Sequence, residues 1–147
     1  MMLGMNINPI MLRRIKMGRH YSGDIDGKFW FAVQPSDDAN YFGVEGERPN
    51  LLEYWYDDDD LPKVKHGIEK CKKSLGKYKK YLDEFFDNRE SYNNEMLADF
   101  LKDKTNKTHT EKGVLRYLQW YARLGLGQQI HDCIKDHGKC HFDAELY

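Results

Sequence analysis

The stretch DLPKVKHGIEKCKKSLGKYKKYLDEFFD, residues 60–87, decides how the rest of the chain is read. Within it Val64, Ile68, Cys71, Leu75, Tyr78, Leu82 and Phe85 recur at alternating spacings of four and three. That period lays one apolar stripe along a helix. Asp57 to Asp60 place negative charge where the first backbone N–H groups lack partners, and Pro62 falls in the first turn, where a missing N–H costs little. Gly67 and Gly76 oppose the helix by about 1 kcal/mol each. The reading is one helix that ends near Asn88. Its seam mixes Cys71, Tyr78 and Phe85 instead of repeating Leu and Ile, and Tyr81 and Phe86 widen it. Packing against the chain's own sheet and helices is therefore expected, with a homodimer through this helix face as the alternative.

Upstream the period changes. Asp26-Gly27 is a hairpin turn signal, entered by His20 to Ile25 and left by Lys28 to Gln34. On the second strand Phe29, Phe31 and Val33 should face one side and Lys28, Trp30, Ala32 and Gln34 the other. Ser36 can cap a helical turn through Tyr41, which Gly43 ends. Val44 to Glu47 reads as a short strand. Leu51 to Tyr56 stays open between strand and helix, since Leu52, Tyr54 and Tyr56 alternate while Leu51 and Trp55 are four apart. Near the N-terminus, Asn8 and Pro9 open a short helix that Gly18 stops. With Arg13, Arg14 and Lys16 beside its apolar residues, a membrane-surface role is its alternative use.

Downstream, Met96, Leu97, Phe100 and Leu101 stripe a short helix. Thr108 and Glu111 are spaced as a capping box, with Thr110 as a competing cap. The following helix carries Val114, Leu115, Leu118, Tyr121, Ala122 and Leu124. Gly125-Leu126-Gly127 either interrupts it or permits close packing, and the stripe resumes through Ile130, Cys133, Ile134 and His137 to Gly138. In His141 to Leu146, Phe142, Ala144 and Leu146 alternate with His141, Asp143 and Glu145, which reads as a last strand pairing with the early hairpin. The fold class is α+β, a small antiparallel sheet packed against three or four helices, in a single domain spanning 1–147.

Composition narrows the function classes. Apolar residues make up 40% of the chain and aromatic residues 14%, which excludes a disordered tail. No run reaches the roughly 18 apolar residues of a membrane span. Basic residues follow the apolar part of Met1 to Met17, the reverse of a secretory leader, so a cytoplasmic location with free thiols is expected. Net charge is −1 but unevenly placed. Residues 19–60 hold 11 acidic and 3 basic side chains, whereas residues 61–80 hold 8 lysines and one glutamate.

Three constellations could carry chemistry. Cys133, His137, Cys140 and His141 offer the thiolate and imidazole donors that zinc prefers, without a paired Cys-x-x-Cys spacing. A helix end and an edge strand explain the same residues. Asp24, Asp26, Asp37 and Asp38, with His20 as a proton shuttle, could hold a hard divalent ion for phosphoester hydrolysis. Turn and helix-start preferences account for the same carboxylates. Lysines 70 to 80 could neutralise phosphates, with aromatic residues to stack on bases, although arginine is absent from this helix. No arrangement stands above its structural explanation. The leading expectation is therefore a non-catalytic protein-binding or adaptor module without cofactor or metal. Lys72, Lys73, Lys79 and Lys80 would be its contacts, and Trp30 or Trp120 its aromatic anchor. Nucleic-acid binding and metal-dependent hydrolysis are the alternatives.

Overall fold

The computed structural model describes residues 20–30, 33–46, 51–87, 89 and 91–145. Four strands form one antiparallel sheet: β1 (His20–Gly23), β2 (Gly27–Lys28), β3 (Leu51–Asp57) and β4 (Lys139–Glu145), in the order β2-β1-β4-β3. The α-helices among the described residues are α1 (Leu61–Leu75), α2 (Tyr78–Asp87), α3 (Asn94–Thr105) and α4 (Glu111–His137). The α+β expectation holds, and the C-terminal strand does pair with the early hairpin, sitting at the sheet's centre between β1 and β3. No helix among the described residues is long and apolar enough to cross a membrane. The reading of Met1 to Gly18 lies outside the described residues.

Strand alternation builds the sheet's two faces. Tyr21, Leu52, Tyr54, Tyr56, Cys140, Phe142 and Ala144 all point inward and are buried. Register pairs Tyr21 with Ala144, Tyr54 with Phe142 and Tyr56 with Cys140, so inward residues meet inward residues. Tyr54 and Phe142 stack at 5.1 Å. This settles Leu51 to Tyr56 as strand: its period-two pattern is what the buried face reads.

The long stripe splits. Val64, Ile68, Cys71 and Leu75 of α1 are buried, as are Leu82 and Phe85 of α2, so the pattern was read correctly. The chain nevertheless breaks at Gly76, whose φ of 55° lies in the left-handed region. Gly76 N–H donates back to Lys72 O at 2.8 Å, closing the first helix before the second begins. The stripe is used up inside its own chain. The aspartate run does start the helix. The Asp57 carboxylate accepts from Asp59 N–H at 2.9 Å, and Asp57 N–H donates to Asp60 at 3.0 Å.

Three local expectations need correction. Among the described residues the second hairpin strand is Gly27–Lys28, and its turn is Asp24 to Asp26; the expectation for Phe31 and Ala32 lies outside them. Phe29 and Trp30 are both buried, where alternation would have sent them to opposite faces. The reason is that Trp30 is hydrogen-bonded to residues just beyond it in the chain. Its carbonyl accepts from Val33 and Gln34 N–H, and the Gln34 side chain folds back to accept from Trp30 N–H at 3.1 Å. The helical turn expected through Tyr41 forms as a 3-10 helix, Asp38–Phe42, and Gly43 ends it as read, but it starts after Asp37 instead of Ser36 and Asp37 makes no side-chain cap hydrogen bond. Residues 44–46 form no strand.

The later helices follow their signals. Asn93 caps α3, accepting from Met96 N–H at 2.7 Å. Of the competing caps for α4, Thr110 is the one used, accepting from Gly113 N–H at 3.0 Å. This helix runs unbroken through Gly125-Leu126-Gly127, and Gly127 serves close packing. A Cβ built there would stand 2.3 Å from the Phe42 ring, and one built on Gly67 of α1 would stand 2.6 Å from the same ring. Phe42 is thus clamped between two helices by paired glycines.

Candidate functional site

The outward face of the sheet gathers chemistry that the sequence separates. Glu53 and Trp55 alternate with the buried residues of β3, and His141 and Asp143 alternate with those of β4. Register sets Glu53 opposite Asp143 and Trp55 opposite His141. Side chains opposite each other on one face of an antiparallel pair are in contact range. The Trp55 indole and His141 imidazole stack at 3.5 Å with their planes 9° apart. Trp55 is still 56% exposed, the one large hydrophobic residue so exposed among those described. Beside it Val44, Glu45, Gly46, Glu53 and Trp55 line an open cleft of about 470 Å³.

His141, Asp143 and Glu53 each bring one donor atom into a group whose atoms lie within 4.8 Å of one another. His141 Nε2 stands 3.8 Å from Asp143 Oδ1, too far for a hydrogen bond. Both atoms are shielded from solvent, and neither has a hydrogen-bond partner. A buried polar atom left unpaired typically costs about 1–3 kcal/mol. The strand itself is held in place, since Asp24 accepts from His141 N–H at 2.8 Å and Asp24 N–H donates to His141 O at 2.8 Å.

The surrounding charge is acidic. Glu45 and Glu53 border the cleft, and neither makes an ion pair among the described residues. At the far side His20 binds Glu145 through Nδ1 at 2.9 Å and through its backbone N–H at 2.6 Å.

Among the described residues, the expected carboxylates Asp24, Asp26, Asp37 and Asp38 do not gather into a group of three or more donors that could hold an ion. Asp24 is engaged with the His141 backbone. The backbone carbonyl of Asp26 accepts from Gln129 at 3.3 Å. Asp37 is exposed. Asp38 is buried and accepts from Arg123 Nε and Gln34 Nε2, both at 2.8 Å. Burial raises the Asp38 carboxyl above its ordinary range, with Arg123 and Gln34 opposing. This residue ties the 3-10 helix to α4.

The cysteine and histidine group assembles only in part: the Cys133 and Cys140 thiols lie within side-chain hydrogen-bonding reach of each other, while His141 points to the other side of β4. Cys133 and Cys140 are buried free thiols, both pushed up by burial, and Cys133 donates to Lys139 O at 3.4 Å. His137 is exposed in the last turn of α4. Only His141 of the four reaches the outer face group.

Of the expected binding residues, Lys72, Lys73 and Lys80 are exposed, while Lys79 pairs with Asp83 at 2.7 Å. Trp30 is no surface anchor: it is 7% exposed and packs edge-on against Phe86 in the core. Trp120 is half-buried, with the Arg123 guanidinium 4.7 Å from its ring and Tyr41 beside it. The lysine face therefore carries no exposed tryptophan. Sequence reasoning missed Trp55, Glu53 and Asp143, although strand alternation was available to mark all three as outward.

No known protein family, curated protein or solved structure matches the chain.

Proposed function

We propose that the protein is a non-catalytic binding module whose recognition surface is the outer sheet face around Trp55, and whose partner is an arginine-bearing segment of another protein. The observation that carries this reading is the 56% exposure of Trp55 on a face bordered by carboxylates. Tryptophan is the residue most enriched at binding hot spots. One indole face is occupied by His141, which holds the ring in place and lowers the entropy cost of using it. Its exposed surface is open to a guanidinium, which aromatic rings attract through their quadrupole. Glu45 and Glu53 supply the complementary charge. The lysines of α1 and α2 then act as a like-charge surface that disfavours docking of such a segment on the opposite side.

Fluorescence anisotropy with labelled arginine-rich and glutamate-rich peptides tests this. The arginine-rich peptide should bind, and Trp55→Ala should weaken it about tenfold or more. Replacing Lys72, Lys73, Lys79 and Lys80 by alanine together should leave it unweakened. Equal binding by Trp55→Ala, or preference for the glutamate-rich peptide or for a nucleic-acid probe through those lysines, overturns the proposal. Sedimentation that shows a dimer dissolved by Trp55→Ala would instead assign the face to a second copy.

A further inference from the structure

We propose that Glu53, His141 and Asp143 form a binding site for one divalent transition-metal ion on the outer sheet face. This rests on the unpartnered donor atoms and not on the exposure of Trp55. His141 Nε2 and Asp143 Oδ1 are shielded from solvent without hydrogen-bond partners, 3.8 Å apart, and Glu53, His141 and Asp143 each offer one donor atom in a group within 4.8 Å. Two donors about 2.1 Å from one ion stand about 3.4 Å apart at the tetrahedral angle and about 4.2 Å apart when opposite. The observed gap falls between those limits. A direct proton bridge would draw the two atoms closer than they stand.

The donor set selects the ion class. One imidazole nitrogen with two carboxylate oxygens suits zinc or manganese better than calcium, which takes six to eight oxygens. The buried thiols lie on the other side of β4, since Cys140 points inward and His141 outward, so they do not complete this set. Geometry is held by the sheet: His141 and Asp143 share β4, and Glu53 is fixed opposite Asp143 by register. Glu53 is exposed and free to rotate toward the ion. Three protein donors leave open positions for water or for an oxygen of a bound partner.

The test uses the full chain, freed of metal by a chelator and titrated separately with Zn²⁺ and Mn²⁺ in a calorimeter. One ion per chain should bind. His141→Ala should weaken it about tenfold or more, and Glu53→Gln and Asp143→Asn should each weaken it measurably. Cys133→Ser with Cys140→Ser should leave Mn²⁺ binding unchanged. Paramagnetic Mn²⁺ should broaden the Trp55 indole resonance before those of Trp30 and Trp120, because Trp55 stacks on the ligating ring. Glu53→Gln keeps both the stack and strand packing, so it remains informative if His141→Ala unfolds. Absence of binding at about 1 mM ion, or binding lost in the cysteine variant but retained without Glu53 and His141, overturns the site. No peptide enters this experiment, so its failure is separate from failure of the proposed partner surface.

Discussion

Gly127→Ala is the sharpest test of how the two main helices meet. On propensity alone the change should help, since alanine is favoured over glycine in a helix interior by about 1 kcal/mol. The structure predicts the opposite sign. The added Cβ would stand 2.3 Å from Phe42 Cε1 and 2.5 Å from its Cζ, both closer than any real contact. Phe42 is fully buried and has no retreat, because Gly67 of α1 already brings backbone against the same ring. Overpacking a tight core costs typically about 1–3 kcal/mol, occasionally more. A blocked ring belongs at or above the upper end, so net destabilisation of about 2 kcal/mol is expected after the propensity gain. For a chain of this size that lowers Tm by about 6 °C. Urea unfolding followed by circular dichroism measures it directly. Phe42→Leu should make room, so the same Gly127→Ala change in that background should be neutral or stabilising, a coupling of about 1–3 kcal/mol. A Gly127→Ala protein as stable as the parent, or an equal loss in both backgrounds, would refute the clamp.

Two further outcomes follow from named contacts. Burial raises the Asp38 carboxyl, so the folded chain holds its proton more tightly than the unfolded chain. That contribution is full below the unfolded pKa of about 3.9 and is lost as pH rises through the folded value. The stability of the parent relative to Asp38→Asn, read from urea midpoints, should therefore fall as pH rises across the acidic range. A rise would mean that the Arg123 contact outweighs desolvation. Thr110→Ala removes the acceptor for Gly113 N–H and should cost about 1 kcal/mol, while Thr108→Ala should cost little, which distinguishes the cap in use from its neighbour in thermal melts.

The fold was legible wherever one local signal dominated. Period 3.6 gave the helices, and period two gave the final strand. Gly138 was read as a stop and does end α4 with φ of 79°. The breaks were harder because a glycine's role depends on what faces it. Gly67 and Gly76 read as helix-weakening residues, and Gly127 as either an interruption or a point of close packing. The structure uses Gly76 to end a helix and the other two to admit Phe42. Nothing local distinguishes them, since the deciding ring lies 25 and 85 residues away in sequence. The strand after Gly27 failed for a similar reason. Its alternating aromatics suit a sheet, but the Gln34 side chain and the Trp30 carbonyl satisfy hydrogen bonds that a ladder would have used.

The outer site was half legible, and the missing half was register. Alternation alone marks Glu53 and Trp55 as partners on one face of β3, and His141 and Asp143 as partners on one face of β4. It does not say that β3 and β4 are neighbours, nor that residue 53 meets 143. A shift of one residue would carry every outward side chain to the core. The aromatic inward rows forbid that shift: Tyr54 and Tyr56 must meet Phe142 and Cys140 to bury their rings. Burial of the inner face thus fixes the outer face without any interaction there having to favour it. That explains how His141 Nε2 and Asp143 Oδ1 can be held 3.8 Å apart and unpaired: the sheet, and not their mutual attraction, sets their separation. It also explains why replacing outer residues should alter what the face binds while leaving the fold intact, since the strands are registered from beneath.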